Sequence, residues 1–147
     1  MTAPAFNQWR VSSALQQVQL QATAHRLDVG SGHAKVVVYK VAPSTEQGVP
    51  SDVMAEVLLA KPAGVVNPNG DLVLQADNPA GTMVLQAGIP RWAQLVAADG
   101  AVLVDGGVTD AEHDGCFQVS GAATPEGDTS PMFYAGVLLT LAPTALT

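Results

Sequence analysis

The clearest alternation of hydrophobic and polar positions lies in RWAQLVAADGAVLVDGGV, residues 91–108. Asp99-Gly100 stands between two runs of small and β-branched residues, which predicts a β-hairpin with a two-residue type I′ turn. A turn centred on this pair places Val96 opposite Leu103. Because side chains alternate between the two faces of a sheet, one face is expected to lie on the core and to carry Ala93, Leu95, Ala97, Val102, Val104 and Val108. The other, mixed face is expected to carry Trp92, Gln94, Val96, Leu103 and Asp105.

Short hydrophobic runs recur along the rest of the chain, separated by turns rich in Gly, Pro, Asn and Asp. The run Lys35–Val41 is apolar on both faces, which is typical of a central strand. Asn67-Pro68-Asn69-Gly70 has the residues of a type I turn. Further strands are predicted over Val53–Ala60, Asp71–Ala76, Thr82–Ala87, Cys116–Val119 and Met132–Leu141, with long loops at 42–52, 109–115 and 121–131. Closely spaced strands without helices between them predict a mainly β fold, an antiparallel β-sandwich or jelly roll of about eight short strands with a short N-terminal helix.

Residues 14–28 form the segment in which the pattern allows both a helix and a strand. Ser13 and Gln16 fit a capping box, and the many Gln, Leu and Ala residues favour a helix, which Gly30-Ser31-Gly32 would end. The run VQLQATAH alternates in the manner of a strand, so the strand alternative stays open beside the favoured helix. Before this segment, residues 1–12 lack any periodicity and predict a loose arm, and residues 13–147 are expected to form a single domain.

The composition narrows the class of protein. Hydrophobic residues make up 48% of the 147 residues and charged residues only 13%, about half of the usual charged fraction of ~25%. We therefore expect part of the surface to be covered by other copies or by a larger partner. A net charge of −7 with only six Lys and Arg argues against nucleic-acid binding, which depends on neutralising phosphates.

The single cysteine, Cys116, allows neither an internal disulfide nor a zinc site with several cysteines, and it is expected to be a small buried hydrophobic residue. No apolar run reaches the ~20 residues that span a bilayer. The first residues lack the charged and apolar regions of a signal peptide. These features predict a protein that is made and used in a cytoplasm, unless it leaves inside an assembly, and that does not bind a membrane.

One cluster of ionisable residues is a candidate metal site, and it consists of Asp105, Asp110, Glu112, His113 and Asp114. Its spacing matches no calcium-binding loop, so a solvated acidic loop is the favoured interpretation over a metal site. His25 and His33 have no obvious partner in sequence and are interpreted as surface or interface residues. The chain contains no nucleophile elbow, phosphate-binding loop or dinucleotide fingerprint. The sequence thus predicts neither an enzyme nor a bound cofactor.

The order of several segments resembles the small virion proteins of tailed bacteriophages, above all capsid cement or decoration proteins with a jelly-roll fold. The segments are SALQQVQLQATAHRL, VGSGHA, KVVVYKVAPS, LLAKPAGVVNPNGDLVL, RWAQLVAADGAVLVDGGV, GDTS and MFYAGVLLTL, and together they extend over residues 12–142. The resemblance implies a structural protein that is made in the host cytoplasm and binds the outside of the capsid shell. It implies no catalytic residue and no cofactor. The implied partners are the major capsid protein and other copies of the chain, as a dimer or higher oligomer.

Five residues are predicted to contact a partner: Phe6, Trp9, Met132, Phe133 and Tyr134. Aromatic residues on a terminal arm either fold back onto their own domain or dock on a neighbour, and the sequence leaves both possibilities open. The loops 42–52 and 121–131 are further candidates for contacts to the shell. Two other functions stay open beside the cement protein, namely a tail-associated or baseplate virion protein and a non-viral ligand-binding β-sandwich.

Overall fold

A computed structural model describes residues 6–142 together with the backbone of residues 145–146. The elements in chain order are helix α1 (Ser13–Leu27), strand β1 (Lys35–Tyr39), a 3-10 turn (Pro50–Asp52), β2 (Val53–Val66), β3 (Leu72–Ala76), β4 (Thr82–Met83), β5 (Trp92–Val96), β6 (Val102–Thr109), β7 (Phe117–Ser120), β8 (Leu138–Leu141) and β9 (Ala145–Leu146). The prediction of a mainly β fold with a short N-terminal helix is therefore confirmed. Of the predicted arm, residues 1–5 lie outside the described residues.

The helix begins one residue earlier than the capping box suggested. Ser12 is the N-cap, and its hydroxyl accepts a hydrogen bond from the Leu15 amide at 3.2 Å, so the assignment of this role to Ser13 is wrong. His25 and Arg26 lie in the last turn, where positive charge is favourable to the helix dipole. Leu20 and Leu27 are buried. No helix in the described part of the chain has both the length and the hydrophobicity needed to cross a bilayer.

The strands form one hydrogen-bonded series in the order β4-β8-β7-β6-β5-β1-β2-β3-β9. The neighbouring pairs are antiparallel except for β6 and β7, which are parallel, so the sheet is mixed where a purely antiparallel one was expected. The sheet curls, so that the segment after β4 reaches β2. The contact between them is a hydrogen bond of 2.7 Å from the Leu85 amide to the Met54 carbonyl. The jelly-roll topology stays a prediction.

β1 is a central strand, as predicted, because it pairs with β2 on one side and with β5 on the other. Its alternate side chains enter two different clusters: Val36 and Val38 lie in the main core, and Val37 and Tyr39 in a smaller cluster on the opposite face. The main core draws on most strands and on the helix through Leu27. Burial of apolar residues on both faces of β1 explains the continuous hydrophobic run in its sequence.

The predicted hairpin exists, but its turn differs from the prediction. The amide of Gly100 donates to the Ala97 carbonyl at 2.9 Å, and the Ala97 amide donates to the Ala101 carbonyl at 2.8 Å. Gly100 has a φ of +95°, and in the described part of the chain only glycines have a positive φ. These features define a type I turn followed by a glycine in the left-handed region, which is the three-residue hairpin loop with a β-bulge. The predicted type I′ turn is therefore wrong.

This bulge changes the faces of the second hairpin strand. Val96 lies opposite Val102, so the predicted Val96–Leu103 pair is wrong. A second irregularity between Leu95 and Val96 restores the predicted register, in which Leu95 lies opposite Val104. Val102 packs on the smaller cluster, Leu103 packs against the main core, and Val104 is partly exposed, contrary to the predicted faces. The prediction holds for Ala93, Leu95, Ala97 and Val108, which are buried.

One other strand is markedly longer than predicted, and two are markedly shorter. β2 continues to Val66, beyond the predicted end at Ala60, and pairs with β1 in its first half and β3 in its second. β8 begins only at Leu138, because residues 134–137 form a turn in which the Val137 amide donates to the Tyr134 carbonyl. β4 has two residues where six were predicted. The predicted turn at Asn67–Gly70 is confirmed by the hydrogen bond from the Gly70 amide to the Asn67 carbonyl.

Candidate interaction surfaces

The arm before the helix carries two aromatic side chains that the rest of the chain leaves uncovered. Phe6 and Trp9 are fully exposed. Of the two possibilities for these residues, the structure does not show the one in which they fold back onto their own domain. An exposed Trp or Phe offers a large apolar area to a partner, typically 150–250 Å².

The outer face of α1 also carries exposed apolar residues. Leu15 and Val18 are three residues apart, so they lie on one face of the helix, and both are about half exposed. Val11 is exposed as well. The name arm patch is used below for Phe6, Trp9, Val11, Leu15 and Val18. No Asp, Glu, Lys, Arg or His occurs between Val11 and Ala24, so this stretch lacks the charges that usually cover an exposed helix face.

A second surface lies at the β4 end of the sheet. Three segments without any Asp, Glu, Lys, Arg or His, residues 78–90, 115–125 and 129–142, contain β4, β7 and β8. These three strands are neighbours in the sheet. The fold therefore brings the charge gaps of the sequence together. This surface is called the charge-free edge below because its own segments carry no charge, although Lys40 and Asp110 from other segments contact it through Gln86 and Thr124. Its exposed large apolar residues are Met83, Leu85, Met132, Tyr134 and Leu138.

Part of the charge-free edge is concave. A hollow of about 380 Å³ is bordered by residues 121–125 together with Met132, Tyr134 and Val137. Met132 and Tyr134, both predicted partner contacts, are exposed here. Phe133, predicted with them, is fully buried in the main core and pairs through its backbone with Gly88. The prediction of Phe133 as a contact residue is thus replaced by a role in the core.

The loop 121–131 is held firmly against the first strand of the hairpin. Arg91 binds Asp128 through two hydrogen bonds of 2.6 and 2.9 Å. The Arg91 guanidinium, helped by backbone donors, holds the pKa of the Asp128 carboxyl well below its usual range. The buried Ser130 hydroxyl donates to the Pro90 carbonyl at 2.7 Å. This loop is therefore ordered by its own contacts.

The acidic loop is organised around Asp110. One carboxylate oxygen accepts a hydrogen bond from the Thr124 hydroxyl at 2.6 Å, and the other lies 2.6 Å from Nδ1 of His113. Hydrogen bonds from Thr124 and His113 lower the pKa of Asp110, and the neighbouring Asp110 raises the pKa of His113. No group of three or more His, Cys, Asp or Glu side chains suited to a metal occurs among the described residues. The contacts of Asp110 fasten the loop to the segment that follows β7.

The two other histidines and the single cysteine were the remaining candidate residues of the sequence. His33 lies with Nδ1 2.9 Å from the Leu59 carbonyl oxygen, and His25 is exposed on the helix. Cys116 is exposed, so the prediction of a buried cysteine is wrong. Its position just before β7 places it outside the buried alternation that begins at Phe117.

The loop 42–52 covers the second face of the hairpin. The Tyr39 hydroxyl donates to the Gln94 side chain at 3.1 Å, and the Gln94 amide donates to the Glu46 carbonyl at 2.9 Å. Gly48 lies against the Tyr39 ring, where a side chain would collide with it. Burial raises the pKa of Tyr39, and Glu56 adds to this effect. The loop buries the polar Gln94 by satisfying its hydrogen bonds.

The chemistry common to both surfaces is apolar contact with few charges nearby: Arg10 lies between Trp9 and Val11 in the arm, and the Asp110 carboxylate contacts Thr124 at the hollow. Such surfaces bind through burial of hydrophobic area and shape, and not through electrostatic attraction. Sequence reasoning missed the charge-free edge, although its signal, three charge gaps in the second half of the chain, is visible in the sequence. Comparison of the chain with protein-family models, with curated proteins and with solved structures found no match.

Proposed function

We propose that this chain is a capsid cement protein, which binds the outer surface of a bacteriophage shell and stabilises it. The observation that carries the proposal is the arm patch, in which the side chains of Phe6 and Trp9 are fully exposed. Exposed aromatic residues on a segment that precedes the first helix are suited to contact a neighbouring molecule. Buried Trp and other aromatic anchors provide much of the energy of protein interfaces.

The charge of the chain supports a position on the outside of a shell. A net charge of −7 is unfavourable next to packaged DNA and compatible with an outer surface. In this proposal the arm patch docks on the major capsid protein, and the folded sheet remains outside as a rigid body. Each contact is small, but many copies on one particle stabilise the shell together.

The test is the occupancy of particles that lack the chain, after purified protein is added. The double variant Phe6→Ala/Trp9→Ala is expected to bind at least about tenfold more weakly than the unchanged chain, because two anchors of ~1–2 kcal/mol each are removed. Leu58→Ala is the control, since Leu58 is a half-exposed apolar residue outside the arm patch. Equal occupancy by the double variant and the control would contradict the role of the arm.

A further inference from the structure

We propose that Asn69 is a site of spontaneous deamidation, at which the folded chain gains a negative charge without the action of an enzyme. The site is the turn Asn67–Gly70 between β2 and β3. The proposal is independent of the arm patch and of the proposed partner in the capsid. It rests on the chemistry of an Asn-Gly pair and on the contacts of this turn.

The residue that follows each asparagine separates Asn69 from the other three in the sequence. Deamidation begins when the backbone nitrogen of the following residue attacks the side-chain carbonyl carbon of the asparagine. Asn67 and Asn78 each precede a proline, whose nitrogen has no hydrogen to lose. Asn7 precedes a glutamine, whose side chain hinders the attack. Asn69 precedes Gly70, which has no side chain, so this pair has the least hindered nitrogen.

Both reacting groups of this pair are accessible in the fold. Asn69 is exposed, and nothing in the described part of the chain forms a hydrogen bond with its side-chain amide. Gly70 has a φ of +86°, and the space beside it is open. Its amide donates a hydrogen bond of 3.1 Å to the Asn67 carbonyl. Because the turn lies at the surface, local opening of this bond frees the nitrogen for the attack.

The hairpin turn at Asp99-Gly100 has the same backbone form but restrains its side chain. In both turns the glycine amide donates to the carbonyl three residues before it, and both glycines have a positive φ. The Asp99 carboxylate binds Arg26 at 3.0 Å and accepts a hydrogen bond from the Ala101 amide at 3.1 Å. The hydrogen bond from Arg26 lowers the pKa of Asp99, so the carboxyl is ionised and resists attack by a nitrogen. The uncharged, unrestrained Asn69 side chain lacks both obstacles.

The reaction needs only water as a co-reactant. The Gly70 nitrogen forms a bond with Cγ of Asn69, and the side-chain nitrogen leaves as ammonia together with the proton that the Gly70 nitrogen loses. Water then opens the resulting succinimide ring. Attack at Cγ gives aspartate, and attack at the backbone carbonyl carbon gives isoaspartate. No atom is oxidised or reduced, and either product adds one carboxylate to a chain whose net charge is −7.

The isoaspartate product also changes the end of the β2–β3 pair, because it adds one carbon to the backbone of the turn. The Asn67 amide donates to the Asp71 carbonyl at 2.8 Å. In addition, Oδ1 of Asn67 accepts hydrogen bonds from the Asn69 and Asp71 amides at 3.1 and 3.0 Å. A longer backbone disturbs this set of bonds, so we expect faster hydrogen exchange of the amides at residues 69 and 71 in the modified chain.

The test is incubation of the purified full chain in mildly alkaline buffer, followed by ion-exchange separation and peptide mass spectrometry. We expect a more acidic form to accumulate, with the mass change located at residue 69. Asn69→Gln is expected to abolish this form, because its longer side chain would have to close a larger ring. Asn7→Gln is the matched control and is expected to form it at an unchanged rate. Circular dichroism verifies that both variants are folded.

An unstructured peptide with residues 65–73 serves as the reference, and the incubation lasts until this peptide has been converted. Absence of the acidic form from the full chain at that time would overturn the proposal, because the folded turn would then protect Asn69. An acidic form that persists in Asn69→Gln, or a mass change located at Asn7, would also overturn it. None of these results depends on binding to a particle.

Discussion

Met83 and Leu138 face each other across the β4–β8 ladder, and both side chains are exposed. The next pair along the ladder, Thr82 with Leu139, points to the opposite face, where Leu139 is fully buried. One short ladder thus separates the core from an uncharged apolar surface. This arrangement gives a direct way to distinguish residues that stabilise the fold from residues that are available to a partner.

Leu139→Ala and Leu138→Ala are expected to differ sharply in their effect on stability. Removal of the buried Leu139 side chain leaves a cavity and is expected to lower the free energy of unfolding by about 2–5 kcal/mol. Leu138→Ala is expected to change it by no more than about 0.5–1 kcal/mol, because the side chain is half exposed. Urea denaturation of both variants provides the measurement, at concentrations where the chain is monomeric. Similar losses would mean that Leu138 belongs to the core.

Asp128→Asn is expected to reduce the loss of stability in acid. The Asp128 pKa is depressed in the folded chain by Arg91, so its contribution is complete above the ordinary carboxyl pKa of 3.8 and is lost as the pH falls below that value. Denaturation is measured between pH 7 and about pH 2. The unchanged chain should lose more stability below pH 4 than the variant. Parallel curves for the two proteins would show that the Arg91–Asp128 pair does not persist in solution.

The pKa of His113 is expected to lie above its ordinary value of 6.5, because Asp110 favours the protonated ring. A raised folded-state pKa contributes stability at low pH, and this contribution is lost as the pH rises through the folded-state value. Proton NMR of the His113 ring gives the value directly. Asp110→Asn should move it back toward 6.5. If the variant leaves the His113 titration unchanged, the 2.6 Å contact with Asp110 does not form in solution.

Gly48→Ala and Gly100→Ala are expected to destabilise the chain for different reasons. At Gly48 a methyl group would collide with the Tyr39 ring, so the loop must move at a cost of about 1–3 kcal/mol. At Gly100 there is open space, and the cost of about 1–2 kcal/mol comes from the φ of +95°. Only Gly48→Ala should alter the environment of Tyr39, which near-ultraviolet circular dichroism detects. An unchanged tyrosine signal in Gly48→Ala would contradict the packing of this loop.

Hydrophobic periodicity was sufficient for the central features of the fold. The continuous apolar run of β1 predicted a strand with neighbours on both sides, and the structure places β2 and β5 there. Alternation before Asp99-Gly100 predicted the buried side chains of β5, including Leu95. These predictions succeeded because the burial of one or both faces of a strand determines which of its positions carry apolar residues.

Details that depend on a single hydrogen bond or bulge did not follow from the pattern. Asp99-Gly100 fits both a type I′ turn and a bulged three-residue loop, and the two differ in which side chains of β6 face the core. Ser12 and Ser13 are equivalent as caps by residue type, and only the backbone conformation selects Ser12. The turn that joins Tyr134 to Val137 shortened β8 although its residues are as apolar as those of a strand.

The candidate surfaces were partly predictable. Phe6 and Trp9 could be singled out because the arm has no periodicity, but their exposure required the fold. Among Met132, Phe133 and Tyr134 the sequence could not separate the buried ring from its exposed neighbours, because the segment does not form a regular strand. The charge gaps were visible in the sequence, whereas their meeting at one edge depends on the strand order β4-β8-β7.

The most direct test of the proposed function is the copy number of this chain on purified bacteriophage particles, since the proposal requires that a phage encodes the chain. Particles are separated on a density gradient, and quantitative mass spectrometry gives the ratio of this chain to the major capsid protein. The cement proposal predicts a ratio near one to one that stays with the heads when tails are removed. A ratio of a few per cent that follows the tails, or absence of the chain from particles, would contradict it.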